Sequence, residues 1–206
     1  MFKGTSASAG IGIGKAVIVE EAELVITRNE VADAEAEIQR FKGALEKTIA
    51  ATQEMADDLA SRVGEKEAEI MQGHMMLLSD PMLTGEIENS VKNDKVNCEF
   101  AIENVCNMYA DMFASMGDEL MQQRATDMRD IKVRMQRTLM GLESVDVSLL
   151  PKGSILVAKD LTPSMTAGIN PENVSGIVTE LGGKTSHSAI LARALEIPAV
   201  VAVNGL

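Results

Sequence analysis

Residues 176–203 read GIVTELGGKTSHSAILARALEIPAVVAV: a β-branched run, a turn on two glycines, a helix-forming stretch, and a second β-branched run. Strand, turn, helix and strand in that order predict an α/β layer with buried strands. The strands are expected at Gly176–Thr179 and Ala199–Val203, with the helix over Ser186–Leu195. Working outward, Ser154–Ala158 (SILVA) predicts another buried strand, and Ser164–Gly168 a helical turn. At the N-terminus Phe2–Ala7 and Ile13–Glu20 are two further β-like runs, punctuated by Gly10, Gly12 and Gly14. Two strands cannot stand alone in water, so residues 1–20 are expected to join residues 148–206 in one α/β domain. The GxGxG pattern does not mark a nucleotide fingerprint, because a second strand follows it where a helix is required.

Between these segments the period changes. Val31, Ala34, Ile38, Phe41, Leu45, Ile49, Thr52, Met55 and Leu59 recur at three- and four-residue steps, which predicts a long amphipathic helix with Asn29 as its N-cap. Gly64 should break it. A second helix is expected over Glu65–Leu78, and Asp80-Pro81 has the cap-then-proline order that opens a third. Two more follow, over about 97–116 and 118–142. Short connections favour antiparallel packing, so residues 21–147 are expected to form an all-α bundle inserted into the α/β domain.

Composition narrows the function. The chain has 206 residues, 46% hydrophobic but only 2% aromatic, with no Trp and 14 Met. The core must be aliphatic and methionine-filled, and stacking platforms for single-stranded nucleic acid are missing. A net charge of −12 argues against a nucleic-acid backbone as partner. The charge is local: residues 21–150 carry 26 acids and 13 bases, whereas residues 151–206 carry four of each. On charge alone such a surface suits a solvated helical face first, and a basic protein partner second. Cys98 and Cys106 lie in a helical pattern without a CxxC or a nearby histidine pair, so free buried thiols are expected and metal binding is not. No stretch approaches the about 20 apolar residues of a membrane span, and the N-terminus lacks a signal-like apolar region. A cytoplasmic location without membrane insertion is expected.

The chemistry points to Glu180–Arg193. Gly182 and Gly183 allow a tight turn and close approach of a ligand to the backbone, and the helix that follows presents free N–H groups and the positive end of its dipole to an anion. His187 sits at that helix start. Near neutral pH its imidazole keeps a lone pair for attack at phosphorus, and Lys184, Thr185, Ser186 and Ser188 could add donors. A histidine there could instead be a cap or a ring satisfied by the core. A serine nucleophile is the weaker reading, since there is no GxSxG elbow and His74 is the only other histidine.

GGKTSHSAILAR (182–193) resembles the phosphohistidine signature of the PEP-utilising enzymes, and LEIPAVVAV (195–203) fits the same family. SASAGIGIGKA (6–16), GHMMLLSDP (73–81) and RATDMRDI (124–131) are similar to the opening and the helical domain of enzyme I of the sugar phosphotransferase system. The resemblance covers the whole chain in order. It implies that phosphoenolpyruvate phosphorylates His187 and that the phosphoryl group then passes to a histidine of the small carrier HPr. It makes Gly183, Lys184, Thr185 and Ser186 phosphate neighbours. DLTPSMTA (160–167) matches a second family segment, making Thr166 the hydrogen-bonding neighbour of His187. Lys184 stands where many relatives have Arg, keeping the charge without the planar fork.

The same resemblance implies that the bundle docks HPr. Glu65, Glu67, His74, Leu77, Asp80, Met82, Arg124 and Arg129 are expected in or near that face, whereas Met71, Met75, Met76 and Leu78 are expected to pack inside. Relatives continue into a C-terminal barrel that binds phosphoenolpyruvate and magnesium and makes a homodimer. The chain is therefore expected to be an N-terminal fragment, monomeric, without a cofactor of its own and unable to use phosphoenolpyruvate alone. Two other readings remain. A pyruvate phosphate dikinase or PEP synthase type would need a nucleotide-grasp domain ahead of His187, for which there is no room. A docking module for a basic partner, with His187 silent, would bind without transferring phosphate.

Overall fold

The computed structural model describes residues 2–206. Strands β1 (Thr5–Ser8) and β2 (Lys15–Val19) open the chain. Five helices follow: α1 (Ala34–Arg62), α2 (Glu65–Leu78), α3 (Pro81–Asp94), α4 (Cys98–Ser115) and α5 (Glu119–Met140). The chain then returns through β3 (Ser154–Ala158), α6 (Pro163–Ala167), β4 (Val174–Thr179), α7 (His187–Ala194) and β5 (Ala199–Val201). This is an α/β domain with an inserted helical bundle, the class expected from the change of period.

Contacts divide the chain into two units. The first comprises the segment ending at Ala22, Asp57–Ala68 and Val145–Leu206; the second comprises Glu23–Ala56 and Glu69–Ser144. The last turn of α1 belongs to the first because Arg62 donates to the carbonyls of Ala167 (2.7 Å) and Ile169 (2.8 Å).

In the first unit the sheet order is β1-β5-β4-β3-β2, with β1 antiparallel to β5 and every other pair parallel. The N-terminal strands thus form both edges of a sheet whose centre comes from the C-terminal third. Leu156, Ile177, Ile169, Val201 and Ala189 fill its core. A Cβ at Gly14 would run into the carbonyl oxygen of Gly153, and one at Gly12 into that of Ser175. These glycines are a packing requirement that lets the entry to β2 lie against backbone. Gly14→Ala is therefore expected to destabilise this unit by about 3 kcal/mol, since backbone cannot yield as a side-chain tip does; a thermal melt against wild type checks it. An unchanged midpoint would mean that β2 enters the sheet elsewhere.

The second unit has its own core, with Phe41, Leu78, Ile87, Ile102, Met128, Ile131 and Met135 fully or nearly fully buried. Each buried aliphatic side chain contributes about 1.5–3 kcal/mol before chain entropy is counted. Helix ends follow the local capping chemistry. Asp80 accepts from Met82 N (2.8 Å) with Pro81 at the first helical position, Asp118 accepts from Met121 N (2.9 Å), and Gly141 closes α5 in the left-handed region at φ +65°. On α1, Arg40 bridges Glu37 and Glu99 (2.7 and 2.8 Å), and its guanidinium holds the Glu37 carboxyl below the ordinary carboxylate range. Cys98 and Cys106 are free and buried, and burial pushes both thiols up to about 12, so they are inert neutral groups.

Three expectations need correction. Asn29 does not cap α1. Its carbonyl accepts from Asn97 N (3.0 Å), and Val31 N donates to Lys95 O (2.9 Å), so residues 29–31 pair with 95–97 instead. The cap passes to Asp33, which accepts from Glu35 N (3.1 Å) and Ala36 N (3.0 Å). The last strand stops at Val201, because Ala202 turns into the left-handed region at φ +55°. Met76 does not pack inside: it is 71% exposed on α2, whereas Met71 and Leu78 are fully buried.

Candidate phosphoryl-carrier site

Strand β4 delivers the chain to the site, and Thr179 at its end donates to Leu181 O (2.6 Å), starting the turn. Gly182 sits at φ +99°, a conformation that glycine adopts without a Cβ penalty. Ser186 then caps α7, accepting from Ala189 N (3.3 Å) while donating to Gly183 O (2.9 Å). Ser186 and Ser188 share a hydroxyl–hydroxyl bond of 2.9 Å. Both hydroxyls are thus engaged in shaping the turn.

The carbonyls of this turn are committed. Leu181 O accepts from Thr179, Gly183 O from the Ser186 side chain and amide, and Lys184 O from Arg193 (2.9 Å). By contrast, among the described residues the N–H groups of Gly183, Lys184, Thr185 and Ser188 have no acceptor within the chain. The turn therefore turns donors outward, beside the positive end of α7. His187 is the first residue of that helix and is 8% exposed. Lys184 and Thr185 are exposed at the mouth of the turn, and Gly183 is half-buried with open space where a Cβ would lie.

Helix α6 packs on α7. Its Thr162 caps it, accepting from Met165 N (3.3 Å), and Thr166 is fully buried with its hydroxyl donating to Thr162 O (2.8 Å). Among the described residues no group of three or more His, Cys, Asp or Glu side chains could hold a metal ion.

The other predicted positions divide. Glu65 and Glu67 lie at the start of α2 in the first unit, Glu65 exposed and Glu67 half-buried. The rest belong to the second unit. Met82 is 67% exposed, Asp80 is half-buried as a cap, and Leu77 packs partly into the core. Arg124 lies over Gly73 and reaches Asp127 (3.5 Å), while Arg129 faces Asp111 (3.7 Å). His74 is corrected. It is fully buried, its Nε2 lies 3.2 Å from Asp127, and it offers no surface to a partner.

Sequence reading missed an exposed row along α4 and its C-cap, Met108, Met112 and Met116 at four-residue steps; Met76, Met82 and Leu120 are also among the exposed large apolar residues. Periodicity could not flag it: Ala101, Val105, Met108 and Met112 follow one 4-3-4 stripe, so spacing alone puts these methionines on the face that is buried in the first half of α4. Arg193 was also missed, because both of its acceptors are backbone carbonyls that leave no trace in residue type.

Comparison with known proteins agrees with the geometry. The family model for the N-terminal region of PEP-utilising enzymes matches residues 3–124, and that for the mobile domain of PEP-utilising enzymes matches residues 150–206. The phosphoenolpyruvate-protein phosphotransferase of Listeria monocytogenes is 44% identical over 200 residues, and that of Bacillus subtilis 42% over 200. Each alignment covers 97% of this chain and 35% of the relative, so the chain spans about a third of their length. A solution structure of enzyme I matches all of this chain and 84% of that chain, with a TM-score of 0.84 and 39% identity. The N-terminal domain of a nitrogen-type enzyme 1 matches with a TM-score of 0.68 and 26% identity, over 100% of this chain and 85% of that one. A match of this extent, continuous through both units and through the turn that holds His187, means that the chain belongs to the PEP-utilising enzyme family, in its enzyme I branch.

Proposed function

We propose that this chain carries a phosphoryl group on His187 and delivers it to a histidine of HPr, with phosphoenolpyruvate as the first donor in the whole protein. The observation that supports this most is the turn before His187, whose carbonyls are engaged internally while its N–H groups remain for an anion. In the first transfer an imidazole lone pair attacks phosphorus, forming N–P as the P–O bond to the enol oxygen breaks; the enolate takes up a proton to become pyruvate. In the second, the N–P bond to His187 breaks as a new N–P bond forms on the HPr histidine. Uncommitted amides and the helix dipole favour the negative charge gathered on phosphorus during each step.

Thr166 is the proposed partner of the imidazole. Its single hydroxyl hydrogen goes to Thr162 O (2.8 Å), so toward His187 it can only accept. The ring nitrogen it meets must then carry hydrogen, which leaves the lone pair on the other. Thr166→Val, which keeps the shape, is expected to slow transfer about 10- to 100-fold; rapid-quench kinetics check it, and a wild-type rate would remove Thr166 from the mechanism.

Residues 1–20 and 148–206 are proposed as the carrier domain, and 21–147 as the HPr-docking insertion. The exposed methionine row, with Met82 and Asp80, offers adaptable apolar contact within an acidic surface. Phosphoenolpyruvate, magnesium and the homodimer contact are assigned to parts of the relatives beyond the matched third, and this chain is proposed to be monomeric and cytoplasmic. No helix among the described residues is long and apolar enough to cross a membrane.

The test is incubation of the chain with phospho-HPr, read by intact mass at neutral pH. One acid-labile phosphoryl group per chain is expected. Binding of HPr without transfer would instead favour a docking module with a silent histidine, and no binding at all would sink the HPr reading.

A further inference from the structure

Strand β1 carries an irregularity that the rest of the fold uses. Its register against β5 runs Thr5↔Val201, Ser6↔Val200 and then Ser8↔Ala199, so Ala7 is the extra residue of a bulge. A bulged residue falls out of the ladder and its carbonyl needs another donor. Arg193, in the last turn of α7, supplies it: Nη1 donates to Ala7 O at 3.1 Å. The same Nη1 donates its second hydrogen to Lys184 O at 2.9 Å. One nitrogen thus ties a sheet edge to the middle of the turn that precedes His187, and α7 packs on both β1 and β5.

The consequence lies in which way the turn faces. A peptide unit holds its C=O and the next N–H on opposite sides. Fixing Lys184 O inward on Arg193 therefore fixes Thr185 N–H outward. Engagement of Gly183 O by Ser186 does the same for Lys184 N–H. Of these two, only the Lys184–Thr185 peptide depends on a side chain from outside the turn.

We infer that Arg193 is a positioning residue for phosphoryl transfer at His187: by joining the bulge carbonyl of Ala7 to Lys184 O it holds the turn with its N–H groups toward the phosphoryl group. This rests on the reading of His187 as the phosphoryl carrier. The role is one of positioning: both hydrogens of Nη1 go to backbone carbonyls.

The test uses the intact chain with Arg193→Gln and Arg193→Lys, and phosphoramidate as a small donor that needs no docking partner. Uptake is followed by intact mass, and the amides of Gly183, Lys184 and Thr185 by NMR. Arg193→Gln is expected to lower the rate at saturating donor about 30-fold while half-saturation stays within about twofold, because geometry at the reacting centre changes and donor binding does not. Arg193→Lys, which keeps a cationic donor with hydrogens for both carbonyls, should recover part of the rate. In wild type the Thr185 amide should shift strongly on phosphorylation, and in Arg193→Gln it should shift little. A wild-type rate and wild-type amide shifts in Arg193→Gln would overturn the inference. If wild type itself takes up no phosphoryl group, the carrier reading fails. The clamp is then judged separately by whether the unphosphorylated Thr185 amide moves in Arg193→Gln, and no movement overturns it. A measurement without substitution guards against a variant that does not fold. Scalar coupling across the hydrogen bond from the Arg193 guanidinium to the Lys184 carbonyl is expected in wild type, and its absence overturns the clamp.

Discussion

His187→Gln is expected to abolish phosphoryl uptake from phospho-HPr while leaving the fold intact. Glutamine is close in size and keeps polar atoms at the N-terminus of α7, so the 8%-exposed position stays filled. What it loses is the chemistry: an amide nitrogen has no lone pair available for attack at phosphorus, whereas imidazole does. The effect should be total, because no second acceptor is ready. His74 is fully buried with Nε2 against Asp127. Ser186 and Ser188 are bonded to each other, and Ser186 also caps the helix. Intact mass before and after acid treatment separates the outcomes. Loss of the gain in His187→Gln supports the assignment. A remaining acid-labile gain would move the carrier to His74, and an acid-stable one would point to a serine ester.

The part of this site that residue types could reveal was local. Two glycines, a serine cap and a histidine at a helix start are chemistry written within a dozen residues, and the structure arranges them as a turn and a cap at the end of β4. Helix ends behaved likewise: Asp80-Pro81, Asp118 and Gly141 act through neighbours two to four positions away. What was illegible came from distant backbone. Pairing of residues 29–31 with 95–97 overrides Asn29 as a cap, and no periodicity encodes it. Arg193 looks like any cation near a helix end until Ala7, 186 residues earlier, comes beside it. Met76 was misassigned for another reason. Met71, Met75, Met76 and Leu78 form an apolar cluster in which composition alone does not say which residue faces outward.

The bundle offers the second large effect. On α5, Asp130 and Arg134 lie one turn apart and both are buried, Arg134 at 8% exposure. Burial pulls the Arg134 guanidinium below its usual range, and the Asp130 charge opposes that shift. Arg134 Nη2 donates to Thr52 Oγ1 (2.7 Å), whereas its Nη1 has no hydrogen-bond partner. Asp130 also lies 3.8 Å from Nδ1 of His74, whose Nε2 faces Asp127. Removing one member of such a cluster leaves an uncompensated charge in a low-dielectric interior. Asp130→Ala is therefore expected to destabilise the bundle by about 3–5 kcal/mol, measured as a lowered urea midpoint of helical circular dichroism. Arg134→Met combined with Asp130→Ala should restore much of that loss, because the stranded cation is gone and an apolar chain of similar length fills its place. If the double variant is as unstable as Asp130→Ala, the aspartate matters through His74 or packing, and the buried charge on Arg134 is not what it compensates.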